Sequence, residues 1–255
     1  MLKHERHAFI EKKIKSKGNI LVSELSKELN CSEETIRRDI KEMESLHKLK
    51  RTHGGAYLPE NYDKGYPVEL RETLLKDEKS RMGAKAISFI KDHSVIMLDS
   101  STTCLELVNA LIESKKIVTV ITNSLRICTL VNSQICNINL ICVGGQLHKL
   151  TASFTGYKTT EAIQKNFADV SFISCPAGNI QFGLSDNNLK ESKVRKSMLD
   201  YSHKKVLILD HTKIDSIADI LFYQLSKIDI LITDQKLSLA WKEYCKQSSI
   251  EVIYA

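Results

Sequence analysis

The chain has no Cys-x-x-Cys pair, no cysteine and histidine spacing that closes a zinc site, and no run near the ~18 apolar residues that span a bilayer. Its seven cysteines, Cys31, Cys104, Cys128, Cys136, Cys142, Cys175 and Cys245, are scattered, and the odd count argues against a disulfide framework. Most lie in apolar or mixed runs, where a thiol serves as a small buried hydrophobe, so neither a metal nor a cofactor is expected. The first residues carry Lys3, Glu5 and Arg6 and no apolar signal core, which predicts a soluble cytoplasmic protein with no membrane partner. There is no internal repeat and no low-complexity tract. Prolines number only three, and Pro59 and Pro67 fall within nine residues of each other, among Glu60, Asn61, Asp63, Lys64 and Gly65. That cluster reads as a linker over 59–73.

What is present divides at the linker. A chain of 255 residues exceeds a typical single domain, so 1–58 and 74–255 are expected to fold as separate domains. The formal net charge is +6; residues 1–58 hold 13 Lys and Arg against 9 Asp and Glu, the remainder 24 against 22. The basic excess is concentrated in the small N-terminal part, as a phosphate-binding surface requires.

Within it, Ser32 is a good N-cap, Glu33 and Glu34 suit the positive end of a helix dipole, and Ile36, Ile40, Met43 and His47 recur at helical spacing. These four describe an inward face. Ser32, Thr35, Arg37, Arg38 and Lys41 are left for the outer face, where hydroxyl, guanidinium and ammonium groups can bond phosphates or the acceptor edge of guanine. A solvated surface helix carries similar charges. The flanks decide between the two. Arg6 to Lys17 is a basic helical run, Gly18-Asn19 breaks it, and Val22, Leu25 and Leu29 mark a second short helix, so the candidate reader is the third of three. Lys48–Thr52 and Ala56–Leu58 are extended runs joined through His53-Gly54-Gly55, where glycines are expected to supply the positive φ of a tight hairpin. The pattern is a winged helix-turn-helix with Arg51, His53 and Gly54 in its wing, and its expected partner is double-stranded operator DNA.

The run Ile20–Leu29, then Ser32-x-x-Thr35-Ile36-Arg37-Arg38-Asp39-Ile40, then Arg51-Thr52-His53-Gly54-Gly55-Ala56, resembles the DNA-binding domain of the DeoR family of bacterial transcriptional regulators.

After Leu74 the pattern alternates. Helices are expected near 74–90, 102–112, 124–131, 158–166, 189–201 and 236–245, and strands at 95–98, 117–121, 138–143, 170–173, 206–209, 228–232 and 250–254. Near-continuous β-branched strands between helices predict an α/β domain with a mostly parallel sheet covered on both faces. In open sheets of this kind ligands sit beyond the carboxyl ends of the strands. There the sequence places Asp99-Ser100-Ser101-Thr102-Thr103, Thr122-Asn123-Ser124 and Gly144-Gly145, whose hydroxyls and amides suit a phosphate and serve equally as helix caps. Asp210-His211-Thr212-Lys213 follows another strand, and Lys213 can complement a phosphate or lie on the surface. Glu191 to Lys196 opens a helix whose outer face reads as basic and solvated, with Glu191 in its first turn.

These segments, with Gly156, Gly183-Leu184 and Ile232-Thr233-Asp234, also resemble the effector-binding domain of the DeoR family. The resemblance implies a sugar-phosphate-isomerase-like fold turned sensor, and a phosphorylated sugar or related metabolite as effector. Ser101 stands where the family commonly has Gly, and Ser174-Cys175-Pro176-Ala177-Gly178 replaces a stretch that in many relatives carries Gly-Ala-Asp-Gly. The function expected is therefore a regulator, chiefly a repressor of carbohydrate-metabolism genes, working as a homo-oligomer because two half-sites are usually needed. The alternative is an isomerase-type enzyme with a DNA-binding appendage, which needs a tuned base beside an electrophile.

Overall fold

In the computed structural model, which describes residues 1–17, 19–46, 48–52, 54–57 and 68–255, the chain divides into two units, Met1–Lys76 and Asp77–Ala255. The first unit runs α1 (Lys3–Lys17), β1 (Asn19–Leu21), α2 (Val22–Glu28), α3 (Glu33–Ser45), β2 (Lys50–Arg51), β3 (Gly55–Tyr57) and α4 (Val68–Thr73). Ser32 caps α3 as its side chain suggests, its Oγ accepting the Thr35 N–H at 3.2 Å. Ile36, Ile40 and Met43 bury against Ile10 and Ile14 of α1 and Val22 and Leu25 of α2. Each such aliphatic side chain contributes ~1.5–3 kcal/mol, and this packing, more than helix propensity, holds a helix this short. His47, expected on the same face, lies outside the described residues.

The three-stranded antiparallel wing has the order β1-β3-β2, with Ile20 opposite Ala56 and Arg51 opposite Ala56 on the other side. The expected hairpin is present as β2 and β3; β1, read only as a break between helices, is its third strand. One expectation about the turn is corrected. Gly55 is not in the left-handed region: it is required because a Cβ there would lie 2.0 Å from the Ile20 carbonyl oxygen. The close approach of β1 therefore fixes glycine at this position. Of the segment expected as linker, 68–73 is helical, and 59–67 lies outside the described residues.

The second-unit elements are α5 (Lys76–Ala86), β4 (Val95–Leu98), α6 (Thr102–Ser114), β5 (Val118–Thr122), α7 (Leu125–Asn132), β6 (Ile138–Cys142), β7 (Gln146–His148), β8 (Ser153–Thr155), α8 (Tyr157–Gln164) and β9 (Ala168–Ile173). They continue with β10 (Ala177–Asn179), β11 (Gly183–Asp186), α9 (Leu189–Asp200), β12 (Ser202–Ile208), β13 (Ile220–Tyr223), β14 (Ile230–Thr233), α10 (Leu239–Gln247) and β15 (Glu251–Tyr254). The helix expected from Leu74 begins instead at Lys76, after Leu75 at φ 49°, and closes in a 3-10 turn over Ile87–Phe89.

Seven strands form one sheet, β15-β14-β12-β9-β4-β5-β6, and every neighbouring pair in it is parallel. Alternate residues feed two cores. Ile96, Leu98, Val120, Phe172, Ile208 and Ile232 meet α5, α6 and α7 through Met82, Leu107 and Ile127. Met97, Ile121, Ile173, Leu207 and Leu231 meet α8, α9 and α10 through Ile163, Val194, Met198 and Trp241. Burial on both faces is why these strands read as unbroken apolar runs. The additional strands β7 and β8 form a hairpin, and β10, β11 and β13 a small antiparallel sheet; these were not foreseen, because three- and four-residue strands carry too few positions to show a period of two.

Candidate functional site

On the outer face of α3 the predicted residues separate into paired and unpaired groups. The Ser32 and Thr35 hydroxyls bond one another at 2.9 Å, and Arg37 Nη2 lies 3.0 Å from Glu33 Oε2, one turn back. Arg38 and Lys41 are exposed and, among the described residues, pair with no carboxylate. Arg51 donates from its backbone N–H to Glu44 Oε1 at 2.8 Å and from Nε to Glu44 Oε2 at 2.6 Å. Gly54 is half-buried in the wing turn, its carbonyl accepting the Val22 N–H at 2.9 Å; His53 lies outside the described residues. Asp39, quoted above only as part of a motif, has a structural role. It is buried, and Arg6 grips it through Nε at 2.7 Å and Nη2 at 3.1 Å, tying α1 to α3.

In the second unit the loops after β4, β5, β9 and β12 gather buried polar side chains at the carboxyl edge of the sheet. Ser101 caps α6 through a 3.1 Å bond from the Cys104 N–H, and Ser124 caps α7 through a 3.2 Å bond from the Ile127 N–H. Capping is thus a real part of their work. Thr102 and Thr103 are buried in the first turn of α6. Glu191 is buried under three hydroxyls: Thr151 donates to Oε1 at 2.8 Å, Ser153 donates to the same oxygen, and Ser100 donates to Oε2 at 3.4 Å. Asn123 donates to the Phe154 carbonyl at 3.0 Å, and its fully buried Oδ1 has no hydrogen-bond partner among the described residues. Gly144, at φ 63°, has open space where a Cβ would be, and its carbonyl accepts the Thr159 hydroxyl at 2.8 Å.

Arg195 corrects the sequence reading of α9. Expected on a solvated basic face, it is buried, donating from Nε to Asp99 Oδ2 at 2.8 Å and to the Ser174 carbonyl at 3.2 Å, and pairing through Nη1 with Asp186. Asp99 also accepts the Ser101 N–H at 3.1 Å, so it braces the loop that follows β4. Burial works against the Arg195 charge, but the carboxylates of Asp186, Asp99 and Glu191 outweigh it and push its pKa up. Burial pushes the Asp186 carboxyl up, with Arg195 opposing.

Beyond this lock lies Lys213, buried, its Nζ 3.4 Å from Asp210 Oδ2 and 3.4 Å from Ser174 Oγ. Lys79 of α5 is buried as well. Burial acts to raise the Asp210 pKa, and Lys213, the Thr212 hydroxyl and Lys79 together bring it below the usual carboxylate value. Two buried ammonium groups therefore act on one carboxylate. Sequence reasoning found Lys213 through its place after a strand but missed Lys79, which sits in a charged helical stretch with no local signal of burial.

These two assemblies define a protein with a winged helix-turn-helix and an α/β unit whose charged groups converge at one edge of a parallel sheet. Residues 6–61 match the family model described as the DeoR-like helix-turn-helix domain, and residues 75–235 match the DeoR C terminal sensor domain. The chain belongs to the DeoR family of transcriptional regulators. It is 28% identical over 243 residues to the HTH-type transcriptional regulator IolR of Bacillus subtilis (strain 168), covering 95% of this chain and 96% of that one. It is 27% identical over 256 residues to the HTH-type transcriptional repressor GlcR of the same organism, covering 99% and 96%. Ribose 5 phosphate isomerase A from Neisseria gonorrhoeae is a structural neighbour at 15% identity and TM-score 0.39, over 56% of this chain and 54% of that one; nothing about ligand or activity follows from so slight a likeness. Among the described residues no helix is long and apolar enough to cross a membrane.

Proposed function

We propose that this regulator is a repressor of carbohydrate-metabolism genes, that it holds operator DNA through its first unit as a cytoplasmic homo-oligomer, and that a phosphorylated sugar bound by the second unit controls it. The observation that carries the effector reading is Lys213, buried at the carboxyl edge of the sheet with its Nζ 3.4 Å from Asp210 Oδ2 and 3.4 Å from Ser174 Oγ. A buried ammonium group at the carboxyl ends of parallel strands can bond the phosphate of a ligand seated there. The hydroxyl-rich loops at 99–103 and 122–124, Gly144 and Glu191 are assigned to the remainder of the effector; the unpartnered Asn123 Oδ1 is an acceptor suited to a sugar hydroxyl.

The same geometry supports a sensor over an isomerase. Asp99 and Asp186 are held by Arg195, Glu191 receives three hydroxyl donors, and Asp210 faces Lys213. An enediol mechanism needs a tuned base, whereas Arg195 holds Asp99, three hydroxyls engage Glu191, and Asp210 is kept below the usual carboxylate value, which supports the sensor reading. A thermal-shift screen of the full chain tests the effector reading: at 100 times its Kd the right phosphorylated sugar stabilises the folded state by about 2.7 kcal/mol. Stabilisation by the unphosphorylated sugars alone would contradict a phosphate seat.

On the DNA side, Ser32, Thr35, Arg37, Arg38 and Lys41 of the reading helix, with Arg51, His53 and Gly54 of the wing, are assigned to the duplex. Arg38→Ala is expected to weaken operator binding by ~1–3 kcal/mol at fixed salt, the worth of a lost bidentate base contact. Because the position is exposed, the melting temperature is expected to stay near that of the wild type. Unaltered operator affinity would place the reading surface elsewhere.

A further inference from the structure

Glu44 is out of place on a surface assigned to a polyanion. It lies on α3 beside the wing, in a shallow hollow of about 460 Å³ lined by Arg38, Lys41, Glu42, Glu44, Ser45 and Arg51. Arg38, Lys41 and Ser45 follow one another at three- and four-residue spacing, so they form one stripe along the helix. Arg51 comes to the same hollow from β2. Of the two acids, Glu42 is neutralised from α1, with Lys3 Nζ at 2.5 Å. Glu44 has its own arrangement: one oxygen accepts the Arg51 backbone N–H and the other accepts Arg51 Nε. Partial burial acts to raise the Glu44 carboxyl, and the hydrogen bonds and charge of Arg51 overturn this and hold it below its usual value.

A carboxylate gripping both the backbone and the side chain of one arginine fixes where its guanidinium points. With Nε engaged, Nη1 and Nη2 make no hydrogen bond among the described residues, and Arg51 lines the same hollow as Arg38 and Lys41. We propose that Glu44 is a positioning residue that presents Arg51 so that the hollow between α3 and the wing seats one DNA backbone phosphate. This rests on the DNA-binding reading above and adds to it a specific seat and the acid that builds it.

The test turns on a difference of sign. If Glu44 were only a surface acid, removing it would relieve repulsion from DNA and tighten binding. If it positions Arg51, its loss frees a long side chain that must then be ordered at the phosphate, and binding weakens. Full-length wild type, Glu44→Ala, Glu44→Gln and Arg51→Ala are compared on a mixed-sequence duplex across roughly 50 to 200 mM salt, where each phosphate contact contributes ~0.9 to the slope of log affinity against log salt. Glu44→Ala is expected to bind several-fold more weakly with its slope reduced by up to ~0.9, as Arg51→Ala does. Glu44→Gln keeps one of the two acceptors, loses the charge and turns an NH2 toward the other Arg51 donor, and is expected to recover part of the affinity that Glu44→Ala loses. In the Arg51→Ala background Glu44→Ala should weaken nothing further, since the acid acts only through that arginine. Wild-type or tighter binding by Glu44→Ala with an unaltered slope would overturn the proposal while leaving DNA binding intact. Absence of duplex binding by the wild type would overturn the DNA-binding reading itself, and the proposal with it.

Discussion

Arg195→Ala is expected to cost the second unit about 3–5 kcal/mol, the penalty of removing one partner from a buried ion pair and leaving its counter-charges unpaired. Arg195 is 5% exposed and meets two carboxylates, Asp99 at 1% and Asp186 at 3%. Substituting alanine strands both, and it also takes a donor from the Ser174 carbonyl. Three loops lose their common anchor: those after β4 and β9, and the end of β11. Lysine in its place keeps the charge but not the planar fork that reaches both acids, so Arg195→Lys should fall between alanine and wild type. The chain has a single tryptophan, and Trp241 is fully buried in the core of the second unit, so its fluorescence during urea unfolding reports on that unit. Lys193→Ala, on an exposed position of the same helix, provides the control and should stay within about 0.5 kcal/mol of wild type. Equal stability of Arg195→Ala and Lys193→Ala would mean that Asp99 and Asp186 find other partners or are neutral.

Lys213→Ala is expected to abolish the response to effector while leaving DNA binding in place. The variant removes the charge-assisted bond proposed to the effector phosphate and takes the Lys213 ammonium from Asp210. A ligand shifts an equilibrium only through its differential affinity for two states, so a chain that cannot hold the effector keeps the DNA affinity of its effector-free state. For a repressor released by inducer the consequence is permanent repression. Removing Lys213 also leaves Asp210 buried, with the Thr212 N–H and hydroxyl as its near donors. Asp210→Asn/Lys213→Ala, which removes both charges, should therefore recover folding stability without recovering the response. A Lys213→Ala chain that still released DNA at the wild-type effector concentration would remove this lysine from the site.

The parts of this molecule legible in its sequence are those written locally. Ser32 and Ile36, Ile40 and Met43 announce a capped helix and its inner face, and the apolar runs at 95–98, 170–173 and 206–209 announce buried parallel strands. Ser101 and Ser124 are visible as caps for the same reason. What escaped was set by partners far along the chain. Arg195 looks like any arginine of a basic helix, and only the arrival of Asp99 and Asp186 makes it a buried ion lock. In the sequence Gly55 looks like a turn glycine, whereas its requirement comes from the carbonyl of Ile20. Lys79 lies in the charged run from Lys76 to Arg81, and nothing within that run shows that it is buried. The stretch 174–178 carries no acid, and the buried acids around Arg195 come from other elements, Asp186 from β11 and Glu191 from α9.

The central claim is that occupancy of the second unit by a phosphorylated sugar changes how the first unit holds DNA. Affinity of the full chain for its operator, measured at one salt concentration across a titration of each phosphorylated sugar that stabilises the protein, tests it most directly, with turnover of the sugar followed in the same samples. The account predicts a change of about 5- to 150-fold in operator affinity, the usual span of allosteric coupling, with no turnover. Isomerisation of the sugar with operator affinity unchanged would contradict it.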